Sequence, residues 1–263
     1  MSHSQDQRSV VVTGAAQGIG RGIAQRLGAD GLALTVVDLE SSADGLVETA
    51  RLIEAVGGVV RTAFADVSSA SQVDAAVDAH VAAYGGIDVM VANAGMAVTA
   101  RFVDTTPDDF ERSFAVNTCG VANCYLTATR HMIDRGRGGK LIAAGSVSAH
   151  RGGAWQAAYA ASKFAVRGLT QAVATELAEY GITANLYSPG VVQTPMWDAL
   201  DEVVTSQEGT PPGSQFAKVL PEIKLGRYAQ PADVAGVVSF LASTDSDYMT
   251  GQSIIVDGGI LFV

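Results

Sequence analysis

Strand-length apolar runs and longer stretches of helical period alternate along the whole chain. Residues 10–13, 33–38, 59–66, 89–92, 140–144, 183–186 and 253–257 are rich in Val, Ile, Leu and Ala over the length of a strand. Between them, 20–30, 46–56, 71–84, 107–135, 159–180 and 231–242 repeat apolar residues at three and four, which predicts covering helices. Strands that are apolar on both faces and regularly separated by helices predict a parallel sheet buried on both sides and wound right-handed, an α/β doubly wound fold of about seven strands.

No repeat, low-complexity tract or linker divides residues 1–263, so one domain is expected. Residues 197–225 break the alternation with a polar, Gly/Pro-containing stretch, and they are read as a lid over the site.

Composition narrows the classes of partner. The 263 residues are 48% hydrophobic with 29 glycines, which argues for a packed interior. A formal charge of −10, with no local cluster of Lys and Arg, argues against nucleic acid and anionic lipid. The opening MSHSQDQRSV lacks a signal-peptide pattern and no apolar stretch is long enough to span a bilayer, so a cytoplasmic protein is expected. Cys119 and Cys124 fall in one helical segment on different faces and are read as small buried hydrophobes. His3, His80, His131 and His150 show no metal-ligand spacing, and no catalytic metal is expected.

The first strand runs into a helix through Thr13-Gly14-Ala15-Ala16-Gln17-Gly18-Ile19-Gly20. Glycines there let backbone approach a pyrophosphate, while the helix N-terminus offers free N–H groups and a positive dipole end, the mark of a Rossmann-type dinucleotide site. Asp38 ends the second strand, where its carboxylate can accept from both hydroxyls of an adenine ribose and repel a 2′-phosphate. Neither Gln17 nor Leu39 supplies a positive charge, so NAD is expected rather than NADP. Asp66-Val67 and Asn93-Ala94-Gly95 end the third and fourth strands at the same edge, although each also suits turn chemistry.

Tyr159 and Lys163 stand four apart on a helical segment and therefore share a face. A phenol titrates near ~10, and an ammonium close by would lower that value, fitting Tyr159 to exchange a proton with a carbonyl or alcohol oxygen. Ser146 follows the fifth strand and should lie at the same edge, able to hold the substrate oxygen; Ser148 points elsewhere if the segment is extended. Such a Tyr/Lys pair is common on helices, and Ser146 is what gives it meaning.

Together TGAAQGIG at 13–20, Asp38, Asp66, NAG at 93–95, Asn117, Ser146, YAASK at 159–163, PG at 189–190 and Thr194 resemble the short-chain dehydrogenase/reductase family over essentially the full length. The resemblance implies that Tyr159 is the acid/base, that Lys163 lowers its pKa and bonds the nicotinamide ribose, and that Ser146 polarises the carbonyl. It implies that Asn117 holds a relay water, that Pro189 and Gly190 belong to the cofactor site, and that Val192 and Thr194 meet the carboxamide end of NAD. It also implies a homotetramer built on the helices at 107–135 and 159–180 and on the apolar ending Ile260-Leu261-Phe262-Val263.

Within the family, 163–171, 189–197 and 246–259 resemble acetoin (diacetyl) reductases, or 2,3-butanediol dehydrogenases. The expected reaction is interconversion of a small ketone and a secondary alcohol. Val147, His150, Gly153, Met196 and Trp197 are candidate substrate contacts: His150 for a second oxygen or else for loop packing, Gly153 as a widening of the pocket, Met196 and Trp197 as an apolar wall or as lid packing. Another secondary alcohol, a sugar alcohol or a bulkier ketone stands as an alternative, as does a catalytically silent NAD-binding sensor. A Ser146 hydrolase is disfavoured, because no G-x-S-x-G elbow is present.

Overall fold

The structure, a computed structural model, describes residues 7–263; His3 and most of the amino-terminal stretch weighed above lie outside them. Seven strands form one sheet: β1 (Ser9–Thr13), β2 (Ala33–Asp38), β3 (Val59–Phe64), β4 (Val89–Ala92), β5 (Gly139–Ala144), β6 (Ile182–Pro189) and β7 (Ser253–Val256). All adjacent pairs are parallel, in the order β3-β2-β1-β4-β5-β6-β7. The order reverses direction between β1 and β4, and the carboxyl ends on either side of that point flank one crevice.

Alternation along each strand divides the core in two. Val11, Met90 and Leu141 face one side, against α3 (Ala70–Tyr84), α5 (Gly120–Arg135) and α6 (Ala157–Leu177). Val10, Val12, Val89 and Val91 face the other, against α1 (Gly18–Ala29), α2 (Ala43–Glu54) and α9 (Pro231–Ala242). Each such side chain, fully buried, stabilises the fold by roughly 1.5–3 kcal/mol.

Several boundaries differ from the sequence-based expectation. β3 stops at Phe64 because Asp66 turns the chain, its carboxylate accepting from Ser68 N at 2.9 Å and Ser68 Oγ at 2.7 Å. β6 is longer than 183–186 because it is paired on both sides, with β5 and β7. The segment at 107–135 is not one helix: α4 (Pro107–Phe114) passes through a π-helical turn at Ala115–Cys119 into α5. That turn leaves Cys119 exposed, a correction to its expected burial, while Cys124 is buried and its thiol is pushed up to about 12. The irregular region begins two residues earlier than expected, as α7 (Pro195–Glu208) and α8 (Ser214–Val219). No helix among the described residues is long and apolar enough to cross a membrane.

His80 is buried beneath the sheet, with Nδ1 2.8 Å from Thr35 Oγ1 and Nε2 3.1 Å from Ser9 Oγ. Burial lowers its pKa to about 3. The unfolded chain binds a proton below about 6.5 that the fold refuses, so the contribution is complete above that pH and is lost as pH falls toward 3. The loss amounts to at most ~1.4 kcal/mol per pH unit. Urea unfolding between pH 7 and 4 should therefore show a shallower pH dependence for His80→Gln than for the wild type; equal slopes would remove His80 as the cause.

Candidate active site

The carboxyl ends of β1, β2, β4, β5 and β6 open into one crevice of about 570 Å³. Its first wall is the turn between β1 and α1. Gly14 and Gly18 have φ of +65° and +56°, which favour glycine. A Cβ on Gly20 would lie 2.0 Å from Gly14 O, so only glycine lets helix and loop meet. α1 begins without a side-chain cap, and its first N–H groups are left to face the crevice beside Gln17, Gly18 and Ile19. That is an anion site built from backbone, and it fits the pyrophosphate of a dinucleotide.

Asp38 is fixed at the end of β2: Ala16 N donates to its Oδ2 and Leu39 N to its Oδ1, each at 2.9 Å. Asp38, Leu39, Asp66 and Val67 line the adenosine end that this arrangement defines. Asn93 also lines the crevice and braces it. Its Nδ2 donates to Thr13 O at 2.9 Å and Gly14 O at 3.0 Å, while its Oδ1 accepts from the buried Tyr187 hydroxyl at 2.7 Å. Gly95, Pro189, Gly190, Val192 and Thr194 complete the set expected to face a cofactor, and all border the same space.

Tyr159 and Lys163 project from α6 across the crevice to Ser146, which follows β5. Ser146 Oγ accepts from Ser148 N at 3.0 Å. Lys163 Nζ donates to Ala144 O at 2.8 Å and lies 5.7 Å from the centre of the Tyr159 ring. Gly95 lets this cluster form, since a Cβ there would stand 3.1 Å from Asn117 Oδ1 and 3.5 Å from Lys163 Nζ. Burial is the dominant force on both titrating groups, lowering Lys163 to about 8 and raising the Tyr159 phenol. The Ser146 hydroxyl pulls the other way on Tyr159, and the Lys163 ammonium is tied to a backbone carbonyl.

Local winding places three further residues. Asn117 sits in the π-helical turn, buried; its Nδ2 donates to Met96 O at 2.9 Å and Ser162 Oγ at 2.9 Å, and its Oδ1 accepts from Met96 N at 2.8 Å. Its carboxamide stands behind the crevice wall and positions Met96. His150 is outside the crevice: the 3₁₀ turn Val147–Ala149 swings it behind the sheet edge, where Nε2 lies 2.8 Å from Ser253 Oγ on β7. The same turn brings Ser148 back to the crevice instead of away from it.

Val147, Gly153, Met196 and Trp197 border the substrate end. Trp155 does not; its carbonyl accepts from Ala100 N at 3.0 Å and Arg101 lies over its ring. Trp197 packs on Phe216 of α8, and Phe216 on Tyr228, so the irregular segment carries its own aromatic contacts. Leu200, Val219 and Glu222, from the segment expected to cover the site, also line the crevice, as do Arg151, Gln156 and Ile260, which were not anticipated. Of these last three, Gln156 carried a sequence signal, three residues before Tyr159 on the start of one helix face.

Residues 14–261 match a family model described as enoyl-(acyl carrier protein) reductase. The chain is 45% identical to a short-chain dehydrogenase/reductase of Armillaria gallica, covering 97% of this chain and 96% of that one. It is 43% identical to the L-2,3-butanediol dehydrogenase of Corynebacterium glutamicum, over 96% and 98% of the two chains. The crystal structure of levodione reductase superposes with a TM-score of 0.89 at 32% identity, covering 96% of each chain. Matched over nearly its whole length, the chain belongs to the short-chain dehydrogenase/reductase family and is an oxidoreductase of ketones and secondary alcohols.

Proposed function

We propose that the protein is an NAD-dependent reductase of small vicinal ketones, interconverting members of the diacetyl, acetoin and 2,3-butanediol series. The observation that carries this reading is the convergence of Ser146, Tyr159 and Lys163 on one crevice whose far wall is the apolar pair Met196 and Trp197. The 43% identity to a dehydrogenase of 2,3-butanediol supports the same substrate class.

A nicotinamide dinucleotide, when bound, supplies or takes the hydride. The rest falls to the chain. Ser146 Oγ already accepts from Ser148 N, so its own O–H is left to donate to a carbonyl oxygen. Tyr159, held protonated by burial, delivers the second proton-bearing bond: its O–H breaks, the alcohol O–H forms, and the carbonyl carbon gains the hydride pair. Lys163, with a pKa of about 8, can return a proton toward the phenolate near neutral pH. In alcohol oxidation the same bonds reverse.

The preference for NAD rests on Asp38, a fixed carboxylate where a 2′-phosphate would need a cation. Arg21, the nearby guanidinium, is occupied with Ala16 O, Gly45 O and Thr49 Oγ1. α7 and α8 form the lid: buried Asp201 accepts from Gly213 N at 2.5 Å and Gln215 N at 2.9 Å, so the two helices would move as a unit. A homotetramer is part of the reading, supported by Leu126 and Phe164, 56% and 44% exposed on α5 and α6, and by Phe262, 80% exposed.

A bulkier or cyclic ketone is the second reading, favoured by the open space at Gly152, where a Cβ would meet nothing within 4 Å. A panel of diketones, hydroxyketones, cyclic ketones and simple ketones, followed by NADH absorbance, separates the two. Diacetyl or acetoin should be turned over with the highest kcat/KM, and Tyr159→Phe should reduce that rate by about 10³-fold or more with NADH binding kept; a preference for cyclic ketones would overturn the first reading. Replacing Asp38 with Ser together with Leu39→Arg should shift the ratio of kcat/KM toward NADPH, and an unchanged ratio would refute the role of Asp38. Sedimentation velocity at micromolar concentration should give a tetramer, and a monomer would sink that assignment.

A further inference from the structure

Gly153 leaves space at the edge of the crevice, and the nearest group to that space is the Gln156 carboxamide. A Cβ on Gly153 would meet one neighbour within 4 Å, Gln156 Oε1 at 3.6 Å. Gln156 immediately precedes α6 and shares the crevice with Tyr159, one turn further on. Its Oε1 accepts from the buried Ser148 hydroxyl at 3.1 Å. Ser148 is also the residue whose backbone N–H holds Ser146 Oγ. One turn of chain therefore fixes both the hydroxyl that meets the reacting carbonyl and the carboxamide beside it.

With Oε1 engaged, the Gln156 Nε2 group keeps two donors that have no protein partner among the described residues. The backbone before it is held with unusual firmness. Trp155 has φ of +68°, a region side-chain-bearing residues avoid, and it is kept there by the Ala100 N–H on its carbonyl and by Arg101 over its ring. His150 is committed to Ser253 and lies outside the crevice, whereas Arg151 also borders it.

We infer that Gln156 is a specificity-determining residue, its anchored carboxamide donating to the second oxygen of a substrate whose first oxygen lies between Ser146 and Tyr159. The inference rests on the vicinal-ketone reading and sharpens it: selection is for an oxygen on the adjacent carbon, a carbonyl or hydroxyl, rather than for chain length. Glycine at 153 is then what leaves room for a polar contact in place of a bulky apolar one.

The test compares diacetyl with 2-butanone, which keeps the four-carbon chain and lacks the second oxygen. For Gln156→Leu, the ratio of kcat/KM for diacetyl over 2-butanone should fall by about tenfold or more, mainly through KM for diacetyl. Gln156→Glu, close to the same size but stripped of donors, should lower the ratio as well, and it serves if the Leu variant does not fold. NADH binding, read by fluorescence, reports an intact crevice. A wild type that prefers diacetyl and variants that keep its ratio, or that lose both substrates equally, would overturn the role of Gln156 alone. A wild type with no preference for diacetyl over 2-butanone would overturn the vicinal-ketone reading and this inference with it.

Discussion

Parallel pairing across all seven strands is the constraint on which the molecule depends. It requires a helical return after each strand, which buries both faces of the sheet and gives the two apolar clusters their separate sets of helices. It also forces every carboxyl end to the same edge. Residues as distant in sequence as Gly14, Asp38, Asn93, Ser146 and Thr194 are neighbours around one crevice for that reason alone. The close approach at Gly20 then joins α1 to the loop, and Asn93 pins that loop to β4 and, through the Tyr187 hydroxyl, to β6.

Burial sets the chemistry of this edge. A tyrosine and a lysine in bulk water would both stay protonated well above neutral pH. In the crevice the phenol is held protonated more firmly, while the ammonium is brought down to about 8. In the proposed chemistry the lysine is the group whose protonation changes nearest neutrality, and the tyrosine is the proton donor. Before substrate is bound, the Ser146 hydroxyl opposes burial by favouring the charged phenol.

Much of this was legible in the sequence because it follows from periodicity and from residue types with narrow uses. Strand-length apolar runs located all seven strands, and glycines between the first strand and helix marked the loop that only glycine can build. What was not legible depended on how single turns wind. The π-helical turn at Ala115–Cys119 adds no composition signal to a helical stretch, yet it exposes Cys119 and draws Asn117 into the wall. A 3₁₀ turn after Ser146, instead of extended chain, exchanges the places of His150 and Ser148. In both cases periodicity predicts the element correctly and the local winding decides which side chain reaches the site.

The same distinction explains why the substrate end is harder to read than the cofactor end. At the end proposed for the cofactor the wall is largely backbone, so the requirement falls on glycines and on one acidic side chain, and residue type alone carries the information. At the substrate end the wall is drawn from three separate segments: the turn after β5, the start of α6 and the α7–α8 region. A small residue in one segment changes meaning with what a second segment sends into the space, as Gly153 does with Gln156. On the inference drawn for Gln156, selectivity there would be a property of the pair rather than of either position alone.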